Sequence, residues 1–255
     1  MLTSFFRLIC VLSVLLASSA GFSANIFEEL GLKRPSTPAA LNSLSEEQVV
    51  TGLKAALALG VQHAITNLGQ PDGFLKNAQV RIPLPESMRK VESGLRAVGQ
   101  GPLADEFITA MNRAAEQAVP ESVNVLSDSL KQISIADAKT ILSGTNTAAT
   151  DYFRRTTSTN LFSRFLPIVK KATDQAGVTS AYKRVLDKSN IGGFRLGNFG
   201  GLGARNELDI DSYVTQKALD GLFIKIAEQE RLIRENPAAR TTAVLQQVFG
   251  VFNKK

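Results

Sequence analysis

The sequence predicts an all-α fold: a single irregular multi-helix bundle with a Pro-rich extended strap and a Gly-rich loop. Apolar residues recur every three or four positions through most of its 255 residues, and no stretch sustains the two-residue alternation of a half-buried strand. Caps and breakers then divide the apolar pattern into helices. Serines open the capping segments Ser45-Glu46-Glu47-Gln48 and Ser134-Ile135-Ala136-Asp137, and proline or glycine closes most periodic runs.

Residues 1–24 read as an export signal. Arg7 is their only charge, an apolar run follows from Leu8 to Ala17, and Ser18, Ser19, Ala20 and Ala24 suit a signal peptidase. An uncleaved anchor fits less well, because the run is well short of the roughly 20 apolar residues that span a bilayer. Cys10, the one cysteine, leaves with the signal, so the mature chain has no disulfide framework. That pattern suits a bacterial periplasm. Residues 25–44 read as a linker with a short helix, and 45–252 as the helical domain.

Ser45 caps the first long helix with Gln48 reaching back, and Val50, Leu53, Leu57, Val61, Ala64 and Leu68 form its apolar stripe before Gly69 and Pro71 stop it. Residues 71–85 hold Pro-Asp-Gly and then Val80-Arg81-Ile82-Pro83-Leu84-Pro85. Prolines at alternate positions favour extended backbone, which makes this a turn followed by an ordered strap packed on the body. Helices are expected at 86–98, ended by Gly99, and at 102–118, with Leu103, Phe107, Met111, Ala114 and Ala118 on one face. Others follow at 121–133 and 135–142, then at 147–155, 158–176 and 178–187, with Pro167 placed to kink the middle one. Residues 192–203 carry the glycines. Asp209 or Asp211 caps the last long helix, where Val214, Ala218, Leu222 and Ile226 make one row and Leu219, Phe223 and Ala227 another. Asn236-Pro237 breaks it, and a terminal helix covers 237–249.

Several segments in this order resemble the bacterial domain of unknown function 4197 family. They are Pro71-Asp72-Gly73-Phe74-Leu75, the strap, Val98-Gly99-Gln100-Gly101, Asn112-Arg113-Ala114-Ala115-Glu116-Gln117-Ala118, Tyr152-Phe153-Arg154-Arg155, Phe165-Leu166-Pro167, Tyr213-Val214-Thr215, Lys217-Ala218-Leu219-Asp220-Gly221-Leu222-Phe223 and Asn236-Pro237-Ala238-Ala239-Arg240. The resemblance runs from about Leu44 to Gly250 and implies an exported helical protein with no established activity. The glycine-rich stretch departs from the family's shorter connection.

The chemical kit is small. His63 is the one histidine and lies off the apolar stripe with no nucleophile or carboxylate beside it in sequence. One histidine and no mature cysteine leave no nitrogen and sulfur zinc site, and Asp209 and Asp211 lack EF-hand spacing. No cofactor is expected. The glycine-rich stretch lacks the Gly-x-Gly-x-x-Gly order and a Gly-Lys-Ser end, and reads either as a connector or as a mobile apolar loop for an interface or a ligand cavity.

Polar residues within the helices are more informative. Arg113 and Glu116 lie three apart on one helix face, and Asp220 falls between apolar Leu219 and Leu222. With Arg81, Arg154, Arg155 and Arg240 they form a candidate polar network, read either as fixing helix register or as an arginine-lined pocket for an anion or lipid headgroup. Removing Arg7 lowers the formal net charge from +6 to about +5, and the charges are interspersed, a pattern that favours anionic lipid over nucleic acid. The expectation is a non-catalytic periplasmic binding or envelope-associated module for an amphipathic ligand, lipid or protein partner, with peripheral membrane contact. A carboxylate-based hydrolase and a structural, oligomer-forming envelope protein are the alternatives, and the sequence leaves the oligomeric state open.

Overall fold

A computed structural model describes residues 45–175 and 209–235. The expected export signal, the 25–44 linker, the 178–187 helix, the 192–203 glycine-rich stretch, and the terminal helix with Arg240 lie outside the described residues. The described residues form seven α-helices: α1 Glu46–Leu68, α2 Arg89–Ala97, α3 Gly101–Ala118, α4 Ser122–Gln132, α5 Ile135–Ser143, α6 Ala148–Gln175 and α7 Ile210–Glu235. Short 3-10 turns at Glu86–Met88 and Val119–Glu121 lead into α2 and α4, so each of these begins later than its sequence pattern suggests. The described residues contain no strand, and the fold is all-α.

Local chemistry explains the helix starts. Ser45 and Ser134 each accept the amide three residues on, while Gln48 and Asp137 reach back to the serine amides, which completes the expected capping box at Ser45 and makes the expected Ser134 cap a capping box as well. Asp209 accepts the Ser212 amide at the start of α7, and Asp211 instead accepts the Thr173 hydroxyl on α6 at 2.6 Å. Gly99 ends the turn after α2 at φ +73°, left-handed backbone that glycine adopts without strain.

The two helices expected at 147–155 and 158–176 are one, α6, with Pro167 inside it. The run Thr156-Thr157-Ser158 reads as a break because short hydroxyl side chains compete with helix hydrogen bonds. Here their hydroxyls donate back to the carbonyls of Tyr152, Phe153 and Arg154, four residues earlier, and the helix continues.

The core lies where α7 meets α1, α3 and α6, with α4 and α5 closing against α1 and α6. Leu53, Met111, Phe107, Phe153, Phe165, Leu222 and Phe223 are fully buried there. Every stripe residue of α1 from Leu53 onward is buried, and so are Gly52, Ala56 and Gly60 beside it. A Cβ at Gly60 would stand 3.3 Å from the Gln229 Cβ, so this second, small-residue face lets α1 and α7 approach closely. By length and hydropathy α1 could cross a membrane. Its apolar side instead packs against neighbouring helices, as a core helix does.

Candidate functional site

The strap positions the site. Val80, Ile82 and Leu84 are buried while Arg81 and Pro83 between them face out, the alternation an extended segment imposes. On one side α3 holds it. Asn112, fully buried, accepts the Ile82 amide at 2.8 Å and donates to the Ile82 carbonyl at 2.9 Å, replacing the strand partner that the strap lacks. Glu116 accepts the amides of Phe74 and Leu75, and Arg113 links Glu116 at 2.7 Å to Asp72 at 2.6 Å. Asp72 sits at φ +71°, a left-handed turn position that aspartate tolerates better than most residues. Bonds from Lys76 and then Arg113 hold its carboxyl below the usual aspartate value. Bonding to Glu116 raises the Arg113 guanidinium above its ordinary value.

On the other side lies α7. The Tyr213 hydroxyl donates to the Pro83 carbonyl at 3.0 Å, and Lys225 bonds Gln79 at 2.6 Å. Burial raises the Tyr213 phenol above its ordinary value. Between these anchors Gly221 lies beneath the strap, where a Cβ would come within 2.7 Å of the Phe74 ring.

These contacts leave an open cleft of about 370 Å³ between the strap, α6 and α7. Spacings of three or four residues bring Lys217, Asp220, Gly221 and Ile224 to one side of α7, and the strap contributes Val80, Arg81 and Pro83. Arg154 enters from α6, its guanidinium 4.6 Å above the Phe223 ring, where a cation is attracted to the aromatic face. The Asp220 carboxylate lies 3.8 Å from Arg154 and 3.7 Å from Lys217, and it accepts a hydrogen bond from Gln216. The lining thus holds three cationic side chains, Arg81, Arg154 and Lys217, and one carboxylate, beside Ile224 at 43% exposure.

The structure divides the candidate network. Arg81, Arg154 and Asp220 meet at the cleft, whereas Arg113 and Glu116 belong to the strap clasp. Arg155 lies 5.7 Å from the Tyr152 ring, away from the cleft lining. Asp105, a conceivable partner for these residues, pairs with Arg96 at 2.7 Å. His63 is exposed on α1.

Sequence reasoning passed over Lys217 and Ile224, whose offsets of three from Asp220 and Gly221 place them on the same helix side. It also passed over Glu230 and Arg234, a buried pair one helical turn apart. Among the described residues no group of three or more His, Cys, Asp or Glu is placed to hold a metal ion.

The fold and the cleft define an all-α protein with a cation-rich surface groove. Residues 43–250 match the family described as protein of unknown function DUF4197, and the chain belongs to that family. No curated protein and no solved structure matches the chain.

Proposed function

We propose that the protein is an exported, envelope-associated binding module that acts without catalysis and takes the acidic group of an amphipathic ligand in the cleft between strap, α6 and α7. The observation that carries this reading is the composition of the cleft: Arg81, Arg154 and Lys217 against Asp220, with Ile224, Val80 and Pro83 as adjoining apolar surface. The cations would hold an anionic head while the apolar wall receives the first part of a chain. Among the described residues Arg81 has no side-chain hydrogen bond or ion pair, so its charge is available to a ligand. The first 24 residues support export through their charge and apolar pattern.

A hydrolase built on paired carboxylates finds less support, since acid and base work across one cleft needs two such groups and this lining supplies Asp220 alone. Co-sedimentation of the mature chain with phosphatidylcholine vesicles, with and without phosphatidylglycerol, tests the reading. Binding that requires phosphatidylglycerol and weakens roughly thirtyfold in an Arg81→Gln/Arg154→Gln variant is expected, at about 1 kcal/mol per basic residue near an anionic surface. Equal binding by both proteins, or binding to neither vesicle, would refute it.

A further inference from the structure

We infer that Asp220 is the internal counter-ion of the cleft and sets how tightly it holds an anion; this rests on the anionic-ligand reading above. Both cations of the α6 and α7 walls converge on this carboxylate, Arg154 at 3.8 Å and Lys217 at 3.7 Å. Neither distance is that of a direct hydrogen bond, so Asp220 orients the two cations without consuming their donors. Its side chain is 35% exposed and faces the same groove that a ligand would enter. The hydrogen bond from Gln216 keeps the carboxylate on that side of α7.

An anion settling between Arg154 and Lys217 must therefore come close to a charge of its own sign. The repulsion reduces the attraction of the three cations and keeps the site from holding every passing anion. Exchange becomes possible: when the ligand departs, Asp220 takes its place and the cations stay arranged. Because Arg154 also rests on Phe223, its position does not depend on Asp220 alone.

Asp220→Asn removes the charge and keeps the shape and the acceptor for Gln216. Its affinity for phosphatidylglycerol-containing phosphatidylcholine vesicles is expected to rise about tenfold at low salt, with the gain shrinking as salt screens the site. Pure phosphatidylcholine vesicles should show no gain. Inorganic phosphate, titrated alone, separates the sources of the anion: a gain with both probes means the headgroup charge is sufficient, and a gain with vesicles alone means the apolar wall is needed as well. Asp220→Ser serves as a second variant, and both are checked for native melting. Unchanged or weaker binding by folded Asp220→Asn and Asp220→Ser, with wild type still binding, overturns the counter-ion role and leaves the binding reading standing. Failure of wild type and both variants to bind any probe overturns both.

Discussion

Glu230 and Arg234, one turn apart on α7, form a buried ion pair that also closes the ends of two other helices. Glu230 accepts the Ala149 and Thr150 amides at 2.9 and 2.8 Å, among the first amides of α6, which have no partner within their own helix. Arg234 donates to the Ile141 carbonyl in the last turn of α5 at 2.8 Å and to Glu230 at 2.8 Å. The negative group thus meets a helix start and the positive group a helix end, each matching the local dipole.

Removing one member should therefore be severe. Glu230→Gln keeps one acceptor oxygen for the α6 amides but removes the carboxylate charge 2.8 Å from the buried Arg234 guanidinium, and a loss of about 3–5 kcal/mol is expected in urea unfolding.

Asn112→Ala should release the strap from α3. It removes both bonds to Ile82 and leaves that buried amide and carbonyl unpaired, for a loss of about 2–4 kcal/mol. Hydrogen exchange gives the specific readout: the Ile82 amide should lose protection more than amides at the centre of α1.

Two glycines should respond oppositely to alanine. Gly221→Ala gains up to about 1 kcal/mol of helix propensity but drives a Cβ into the Phe74 ring, so a net loss of about 1–3 kcal/mol is expected. Gly94, within α2, has open space where a Cβ would project and should be stabilised by alanine by up to about 1 kcal/mol. Thermal melts of both variants check the pair.

Acid should weaken the strap through Asp72. Its folded pKa lies below its unfolded value, so the unfolded chain binds the proton first and the Asp72 contribution, present above the unfolded value, is lost as pH falls through the folded one. Urea unfolding followed from about pH 5 to about pH 2 should show stability falling with pH, with a shallower fall in Asp72→Asn. Asparagine also tolerates the left-handed backbone at this turn. Some slope should remain, because Asp137 and Asp209 are lowered too, chiefly by bonds from Ser134 and Ser212.

Where local chemistry decides, the sequence was informative. The serine caps, the α1 and α7 stripes and the alternation of the strap depend on neighbours within a turn or two, and they appear in the structure as their spacing suggests. The single helix α6 was hidden because Thr156, Thr157 and Ser158 choose between breaking and back-bonding according to their surroundings. Glu230 and Arg234 have the spacing of four that is usual on a solvent-facing helix side, and their burial follows from α5 and α6 ends that lie far away in sequence. At the cleft, Asp220 and Arg154 stood out as polar residues within apolar helices. Their meeting with Arg81 needs the strap to cross α7 beside α6, which no local pattern encodes.

The most direct measurement is native mass spectrometry of the protein purified from its own envelope, beside an Arg154→Gln variant prepared in the same way. An acidic amphiphile should be retained by the wild-type chain and depleted in the variant, with Arg154 no longer there to hold its head. A bare wild-type chain, a neutral lipid, or equal retention by both proteins would contradict it.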